Sequence, residues 1–328
     1  MTNPLMEDLK ANDAFPDISL SLPSSNVWYS DDVFVQGADT TDLTIKVLGI
    51  IAEQSYRDPL MMITGEGIIR LVKNVCPEVL KPMELFEMDL EAILLASRIA
   101  SYGPKMILDD VCQYKKDENE EPCNHENKIE LDLNEIIQRY EPLTDEDIKE
   151  YEYSLKSFNQ KVLLRPFPYW SVIELLKTNL ARDNEIEKMQ STLSEEDSIS
   201  DLILSSNREL YSKIADMNTQ SAIDSVVSSI FCVESSSGQR VNDPKFIKEW
   251  LLNIPTSESD GIVKRINELS EKSNKRTNIV YDCGGCGNTN TTNLVLDANK
   301  LFTYAGASEI EKKSSQKSKN IIPQRRIR

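Results

Sequence analysis

Four of the six cysteines lie in two polar patches that have the composition of a metal site. In the later patch, Cys283-Gly-Gly-Cys286-Gly places two thiolates on one tight turn, which glycine permits. In the earlier patch, ten residues, QYKKDENEEP, separate Cys112 from Cys123. A zinc ribbon forms when two such turns approach each other and each contributes two thiolates to one tetrahedral ion. We therefore predict a structural zinc site whose ligands are Cys112, Cys123, Cys283 and Cys286.

The two patches also share a pattern around their second cysteines. Asn127 follows Cys123 by four positions, within a stretch that continues as KIELDL. Asn290 follows Cys286 by four positions, within a stretch that continues as TTNLVLD. Each patch thus puts a cysteine a few residues before a predicted strand. The charged insertion before Cys123 can bulge outward without separating the two sulfurs of its pair.

Other interpretations of the cysteines remain open from the sequence. The long spacing before Cys123 is unusual for a zinc turn, so His125 could replace Cys112 as a ligand, and a site without metal is a further alternative. A thioredoxin-type redox pair would require a helix after the second cysteine, whereas NTNTTN favours a turn. Four protein ligands leave no open position for a reactive water, which disfavours catalytic zinc.

The rest of the sequence offers little for catalysis. His125 is the only histidine, no carboxylate pair stands out from the surface charge, and no phosphate-binding glycine loop is present. We therefore expect a protein that is not an enzyme, with no catalytic residue, no organic cofactor and no small-molecule substrate. Cys76 and Cys232 lie in apolar surroundings and are predicted to be core residues.

Composition and charge indicate a globular protein with an acidic surface. Of the 328 residues, 40% are hydrophobic and 28% are charged, which is enough for a core. No apolar run approaches the roughly 18 residues of a spanning helix, and we expect neither a membrane partner nor a signal peptide. Glu309–Arg328 carries seven basic and two acidic residues, which leaves −22 on the rest of a chain whose net charge is −17. An acidic body repels phosphates, so nucleic acid is an unfavoured partner.

Helical spacing of apolar residues dominates the elements that must position the cysteines. A helix is predicted from Thr41 through TTDLTIKVLGIIAEQ, and a second over TGEGIIRLVKNVCPE with Thr64 as its cap. The third, FEMDLEAILLASRIASYG, should bury one stripe and end at Gly103. The predicted stripe is Leu90, Ile93, Leu94 and Ile99.

Alternating patterns predict a smaller number of strands. FPDISLSLPSS is typical of an extended arm or edge strand, IELDL should place Ile129, Leu131 and Leu133 on one face, and KVLLRPF is a further strand. Around Cys283 we expect a short strand, a cysteine turn, a polar turn and another strand. Further helices are predicted over PYWSVIELLKTNLARDNEIEKMQ, SEEDSISDLILSSNRELYSKIADM, TQSAIDSVVSSIFCV, DPKFIKEWLLNI and DGIVKRINELSEK.

The predicted fold is mostly α, a helical body with a small β zinc-ribbon-like element (α+β). The segments are an extended N-terminal arm (1–40), an N-terminal helical unit (41–105), a first cysteine turn and strand (106–135), a central helical region (136–275), a second cysteine turn and strand that pairs with the first (276–306), and a basic disordered tail (307–328).

The order of these motifs resembles a known family. LPSSNVWY is followed by MDLEAILLASRIASYGP, a cysteine with HEN and an LDL strand, VNDPKFIKEWLLNI, and YDCGGCG with LVLD and LF. This order is similar to the T-even-type baseplate hub assembly chaperone, or baseplate hub subunit, family of contractile-tailed bacteriophages. The resemblance covers roughly residues 21–305. Its most specific parts are DLEAILLASRIASYG and the last cysteine turn with its strand and Phe302. The split pair Cys112 and Cys123 departs from the family's appearance.

The resemblance implies a tail protein that binds phage baseplate hub proteins and assists assembly of the hub. It implies a location in the host cell cytoplasm during assembly, with the tail baseplate of the virion as a second location. The alternative function is a zinc-ribbon protein that binds nucleic acid or acts in transcription. The acidic body argues against that alternative, whereas the basic tail favours it.

Overall fold

The computed structural model describes residues 17–117, 121–191, 208–296 and 301–302. The fold is mixed α+β, with about 48% helix and 19% strand. The prediction of a mostly helical body therefore understated the strands. The predicted basic tail, 307–328, and residues 1–16 of the predicted arm lie outside the described residues. In the described part, no helix has the length and apolar character needed to cross a lipid bilayer.

The first third of the chain forms helices around a buried central helix. Its elements are β1 (Ile18–Leu20), β2 (Leu43–Ile45), α1 (Ile50–Arg57), α2 (Pro59–Thr64), α3 (Glu66–Val75) and α4 (Glu87–Tyr102). The predicted third helix is confirmed as α4, and it ends at Gly103, which has a φ of +79°. Leu94 is 4% exposed, and the residues around it are buried on nearly every side of α4. This region, which we call the first core, also includes Cys76, as predicted.

The predicted helix at Thr41 is wrong in its first half. Leu43 pairs with Leu20 and Ile45 pairs with Ile18 in an antiparallel ladder, and both Leu43 and Ile45 are buried. This two-residue alternation overrides the helical spacing, so the helix begins only at Ile50. Thr64 ends α2 and does not cap α3, because Gly65 occupies the capping position.

A hairpin follows α4 and carries the first cysteine pair. Its strands are β3 (Lys105–Val111) and β4 (Glu126–Asp132), which pair antiparallel along seven residues each. Ile129 and Leu131 face the first core, as the alternation predicts. Leu133 is buried with them but already begins α5 (Leu133–Ile137).

The central region is a four-stranded sheet flanked by helices. Its elements are α6 (Asp145–Lys149), β5 (Glu152–Ser154), β6 (Lys161–Leu164), α7 (Tyr169–Ser191), α8 (Arg208–Ser228), β7 (Ile230–Glu234), β8 (Arg240–Val241), α9 (Pro244–Asn253) and α10 (Thr256–Asn274). The strand order is β5-β6-β7-β8, all antiparallel. Val162, Ile230, Ile247 and Ile262 are buried together in what we call the second core.

The prediction that IFCV continues a helix is wrong. That helix, α8, ends at Ser228, and Ile230–Glu234 forms the strand β7. Val233 lies opposite Val162 in the sheet, where β-branched side chains pack well. Cys232 is 3% exposed, which confirms its prediction as a core residue.

A second hairpin carries the later cysteine pair. Its strands are β9 (Asn278–Asp282) and β10 (Thr289–Asn293), which pair antiparallel and form their own two-stranded sheet. The TNTTN stretch, expected as a turn, is β10 itself. Its side chains alternate between exposed and half-buried, so a polar sequence can occupy both faces. Leu294 and Phe302 then return to the first core.

Candidate metal centre

Corresponding positions of the two hairpins carry the four cysteines. Cys112 directly follows β3, and Cys123 stands three residues before β4. Cys283 directly follows β9, and Cys286 stands three residues before β10. Each hairpin therefore offers one thiol at the end of its first strand and one just before its second strand, and the two tips meet.

The sulfur atoms lie at the spacing of a tetrahedral thiolate site. The Sγ atoms of Cys112 and Cys286 are 3.8 Å apart, and those of Cys123 and Cys283 are 3.9 Å apart. All four Sγ atoms lie within 4.8 Å of one another. A tetrahedral zinc ion with Zn–S bonds of about 2.3 Å places its sulfurs about 3.8 Å apart. All four thiols are free, and a disulfide would require about 2 Å between two sulfurs.

The two turns have the same backbone geometry. The Asn124 amide donates to the Cys112 carbonyl at 2.9 Å, and the Gly287 amide donates to the Cys283 carbonyl at 2.9 Å. Asn124 and Gly287 each follow the second cysteine of their turn, and both adopt a left-handed conformation, with φ of 53° and 70°. Asparagine and glycine are the residues that tolerate this conformation best. The two turns thus reproduce each other in spite of their different lengths.

The first and last residues of the insertion in the first turn lie close together. The Cys123 amide donates to the carbonyl of Tyr114 at 2.9 Å, which closes the loop behind the cysteine pair. Cys112 consequently lies in the sulfur group although ten residues separate it from Cys123.

His125 packs beside the sulfur group and supports the second turn. A Cβ atom placed on Gly285 would lie 2.7 Å from the Cβ of His125, and one placed on Gly284 would lie 3.2 Å from its Nε2. Glycine at Gly285 is therefore required by a close approach of the two turns. In the described part of the chain, the ligand atoms that converge are those of the four cysteines, and His125 is not among them.

Hydrogen-bond donors around the sulfur of Cys283 favour its thiolate form. The backbone N–H of Cys286 lowers the pKa of Cys283 to about 6, against an opposing effect of desolvation, and the Gly285 N–H contributes in the same direction. The Gly285 amide lies 3.4 Å from the Cys283 Sγ. A thiolate is the form of cysteine that binds metal.

Contacts between side chains hold the hairpins together below the cysteines. Asp110 of β3 accepts hydrogen bonds from the hydroxyl groups of Tyr281 and Thr292, one on each strand of the other hairpin. Arg139, which follows α5, donates to the backbone carbonyl of Asn278 at 2.7 Å and so ties the second hairpin to the segment after the first. Sequence reasoning missed Asp110, because no local pattern distinguishes it from a surface carboxylate. The matched asparagines were visible as a repeat, although their role was not.

The arrangement can hold one metal ion in a closed set of four sulfurs. Cys112 and Cys283 are buried, Cys123 is half-buried and Cys286 is exposed, so the site lies at the surface. Four protein ligands stabilise a fold and leave no coordination position for substrate or water. The chemistry that the site supports is therefore structural.

Comparison with models of protein families gives a match. A family model described as T4 bacteriophage base plate protein matches residues 51–303, a span that includes both hairpins and all four cysteines. No curated protein and no solved structure matches the chain. The match covers well over half of the sequence and agrees with the resemblance drawn from its motifs. Membership implies association with a phage tail. The chain belongs to the T4 bacteriophage base plate protein family.

Proposed function

We propose that this baseplate protein is a non-enzymatic assembly factor, which binds baseplate hub proteins and assists assembly of the hub. The observation that carries the proposal is the family match over residues 51–303. The resemblance of its motifs to the T-even-type hub assembly chaperones supports the narrower role. The nucleic-acid alternative is not favoured, because the matching family is a baseplate family and the body of the chain is acidic.

The surface charge suggests how such a protein meets its partners. With a net charge of −17, it would be drawn towards basic surfaces of hub proteins by electrostatic steering. Steering of this kind raises the association rate more than the affinity, and salt screens it. Association with a hub protein should therefore slow as the salt concentration rises.

We also propose that Cys112, Cys123, Cys283 and Cys286 hold a structural zinc ion and that the two hairpins form a zinc-ribbon-like element. The sulfur spacing and the donors around Cys283 support this assignment. Such an ion would join β3 and β4 to β9 and β10, and these strands flank the central region in the sequence. It would hold the ends of that region close together, which keeps the helices between them in one arrangement.

The assembly role is tested with a phage that lacks this gene. We expect tails to stop before the hub is finished, while the other structural proteins accumulate. A gene copy supplied in trans should restore particles, and a copy with Cys286→Ser should restore fewer. Complete baseplates and infectious particles without the gene would contradict the role. Presence of the protein in mature particles would instead favour a hub subunit over a transient chaperone.

A further inference from the structure

Each hairpin carries one asparagine whose side chain reaches across to a sulfur of the other hairpin. We propose that Asn127 and Asn290 are a crossed pair of positioning residues for the metal centre. Each orients the first thiolate of the opposite turn and offsets its negative charge. This inference rests on the proposed zinc site.

Both the nitrogen and the oxygen of the Asn127 side-chain amide make hydrogen bonds. Its Nδ2 lies 3.6 Å from the Sγ of Cys283 and donates to the carbonyl of His125 at 3.1 Å. Its Oδ1 accepts from the backbone amide of Gly284 at 2.9 Å. The residue is 7% exposed, so water has little access to these contacts. The two bonds to residues 283 and 284 fix the orientation of the amide, with its donor towards the sulfur.

Asn290 repeats this arrangement in the other direction. Its Nδ2 lies 3.4 Å from the Sγ of Cys112 and donates to the carbonyl of Asn288 at 3.2 Å. Its Oδ1 accepts from the side-chain amide of Asn288. Like Asn127, it therefore bonds the carbonyl two residues earlier in its own hairpin and the first cysteine of the opposite turn. Both patches have the same Cys-x-x-x-Asn spacing, and the two contacts from asparagine to sulfur are therefore related by an approximate two-fold symmetry.

The contacts from the side-chain amides of Asn127 and Asn290 to the sulfurs have an electrostatic role. Four thiolates around a divalent cation carry a net charge of −2, and N–H donors directed at the sulfurs stabilise that charge. An aspartate has nearly the same shape but presents oxygen acceptors and a negative charge to the thiolate. Replacing Asn127 or Asn290 by aspartate therefore changes the polarity of the contact while leaving the size of the side chain almost unchanged.

The test uses the full-length chain with the variants Asn127→Asp and Asn290→Asp. Asn293→Asp is the matched control. Asn293 lies exposed on the same strand as Asn290, and its replacement by aspartate adds the same charge. Zinc affinity is measured by competition with a chromophoric chelator, and bound cobalt(II) is followed through its thiolate charge-transfer absorption. We expect the two variants to bind zinc about 10–100-fold more weakly than the control and to shift the cobalt absorption. The larger effect is expected at Asn127, which also binds Gly284.

One outcome would overturn the inference, and it can be told apart from failure of the zinc site itself. Variants that bind zinc within about threefold of Asn293→Asp, with an unchanged cobalt spectrum, would show that the amides do not position the sulfurs. A wild-type chain that binds neither metal would instead refute the zinc site on which the inference rests. If Asn127→Asp fails to fold, the half-buried Asn290→Asp still decides the question.

Discussion

At the scale of single residues, Glu91 gives the chain a pH dependence that does not involve the cysteines. This half-buried carboxyl of α4 accepts a hydrogen bond of 3.0 Å from the hydroxyl of Tyr140. Desolvation raises the pKa of Glu91 to about 7, and Glu87 acts in the same direction, whereas Tyr140 and Arg276 oppose the rise. The folded chain therefore holds a proton at pH values where the unfolded chain, with a pKa near 4.5, has released it. Stability from this group is present below pH 4.5 and is lost as the pH rises towards 7.

Glu91→Gln should remove this loss, since glutamine still accepts the hydrogen bond from Tyr140. We expect the variant to be more stable than wild type at pH 8 by on the order of 1–3 kcal/mol, and to differ little at pH 4. Urea unfolding at both pH values measures the difference. A stability difference that is the same at pH 4 and pH 8 would contradict the assignment of this titration to Glu91.

Residue identities allowed the sequence to predict which four thiols converge, but not what holds them there. Glycine, cysteine and asparagine have few roles in a polar turn, so their spacing is informative. Asp110 and Tyr281 are 171 positions apart, and a contact of that range leaves no local pattern. The open choice between Cys112 and His125 was likewise a question of tertiary placement, which spacing alone cannot decide.

At the scale of elements, α4 is the helix around which the first core is built. Leu94 is 4% exposed and belongs to a cluster that takes in α3, β3 and the last described residues. Leu94→Ala should therefore destabilise the chain by about 2–5 kcal/mol, through lost burial and the cavity left behind. Leu60→Ala is the control, because Leu60 on α2 is 74% exposed and its truncation should change stability by about 0.5 kcal/mol or less. Chemical unfolding in which both variants lose the same stability would refute the position assigned to α4.

The elements that sequence reasoning predicted well are those with one consistent periodicity. α4, α9 and β4 each have a single pattern and a clear boundary, such as Gly103 at the end of α4. β2 and β7 were mistaken for helix because short apolar runs fit both periodicities, and only the partner strand decides between them. The strand predicted after Cys286 was placed too late in the chain, because β10 is polar and a strand in a two-stranded hairpin needs no apolar face.

At the scale of the whole molecule, the described residues form two main cores. We propose that the N-terminal helical unit, 41–105, and the two cysteine hairpins make one body, since Ile279, Leu294 and Phe302 pack in the first core. The central region, 136–275, contains the second core, around Val162 and Ile262. A metal ion at the hairpin tips would therefore stabilise the first body directly and the second only through their shared contacts.

Removal of metal should consequently loosen the protein unevenly. With a strong chelator, we expect faster amide hydrogen exchange in β9, β10 and the first turn, because structural zinc contributes folding free energy to the segments it joins. Exchange in β6 and β7 should change much less. Hydrogen exchange followed by mass spectrometry makes the comparison within one sample. A uniform increase across both cores, or none in the hairpins, would contradict the proposed position of the metal.

The central claim is that the two cysteine turns of this baseplate protein together hold one zinc ion. Native mass spectrometry of the freshly purified, reduced, full-length chain tests it most directly. We predict a mass that corresponds to one zinc per chain, lost in Cys286→Ser and retained in Cys232→Ser, whose cysteine lies away from the site, on β7 of the central region. A wild-type chain that carries no metal, with all six cysteines recovered as free thiols or with sulfurs of the site joined as disulfides, would contradict the claim.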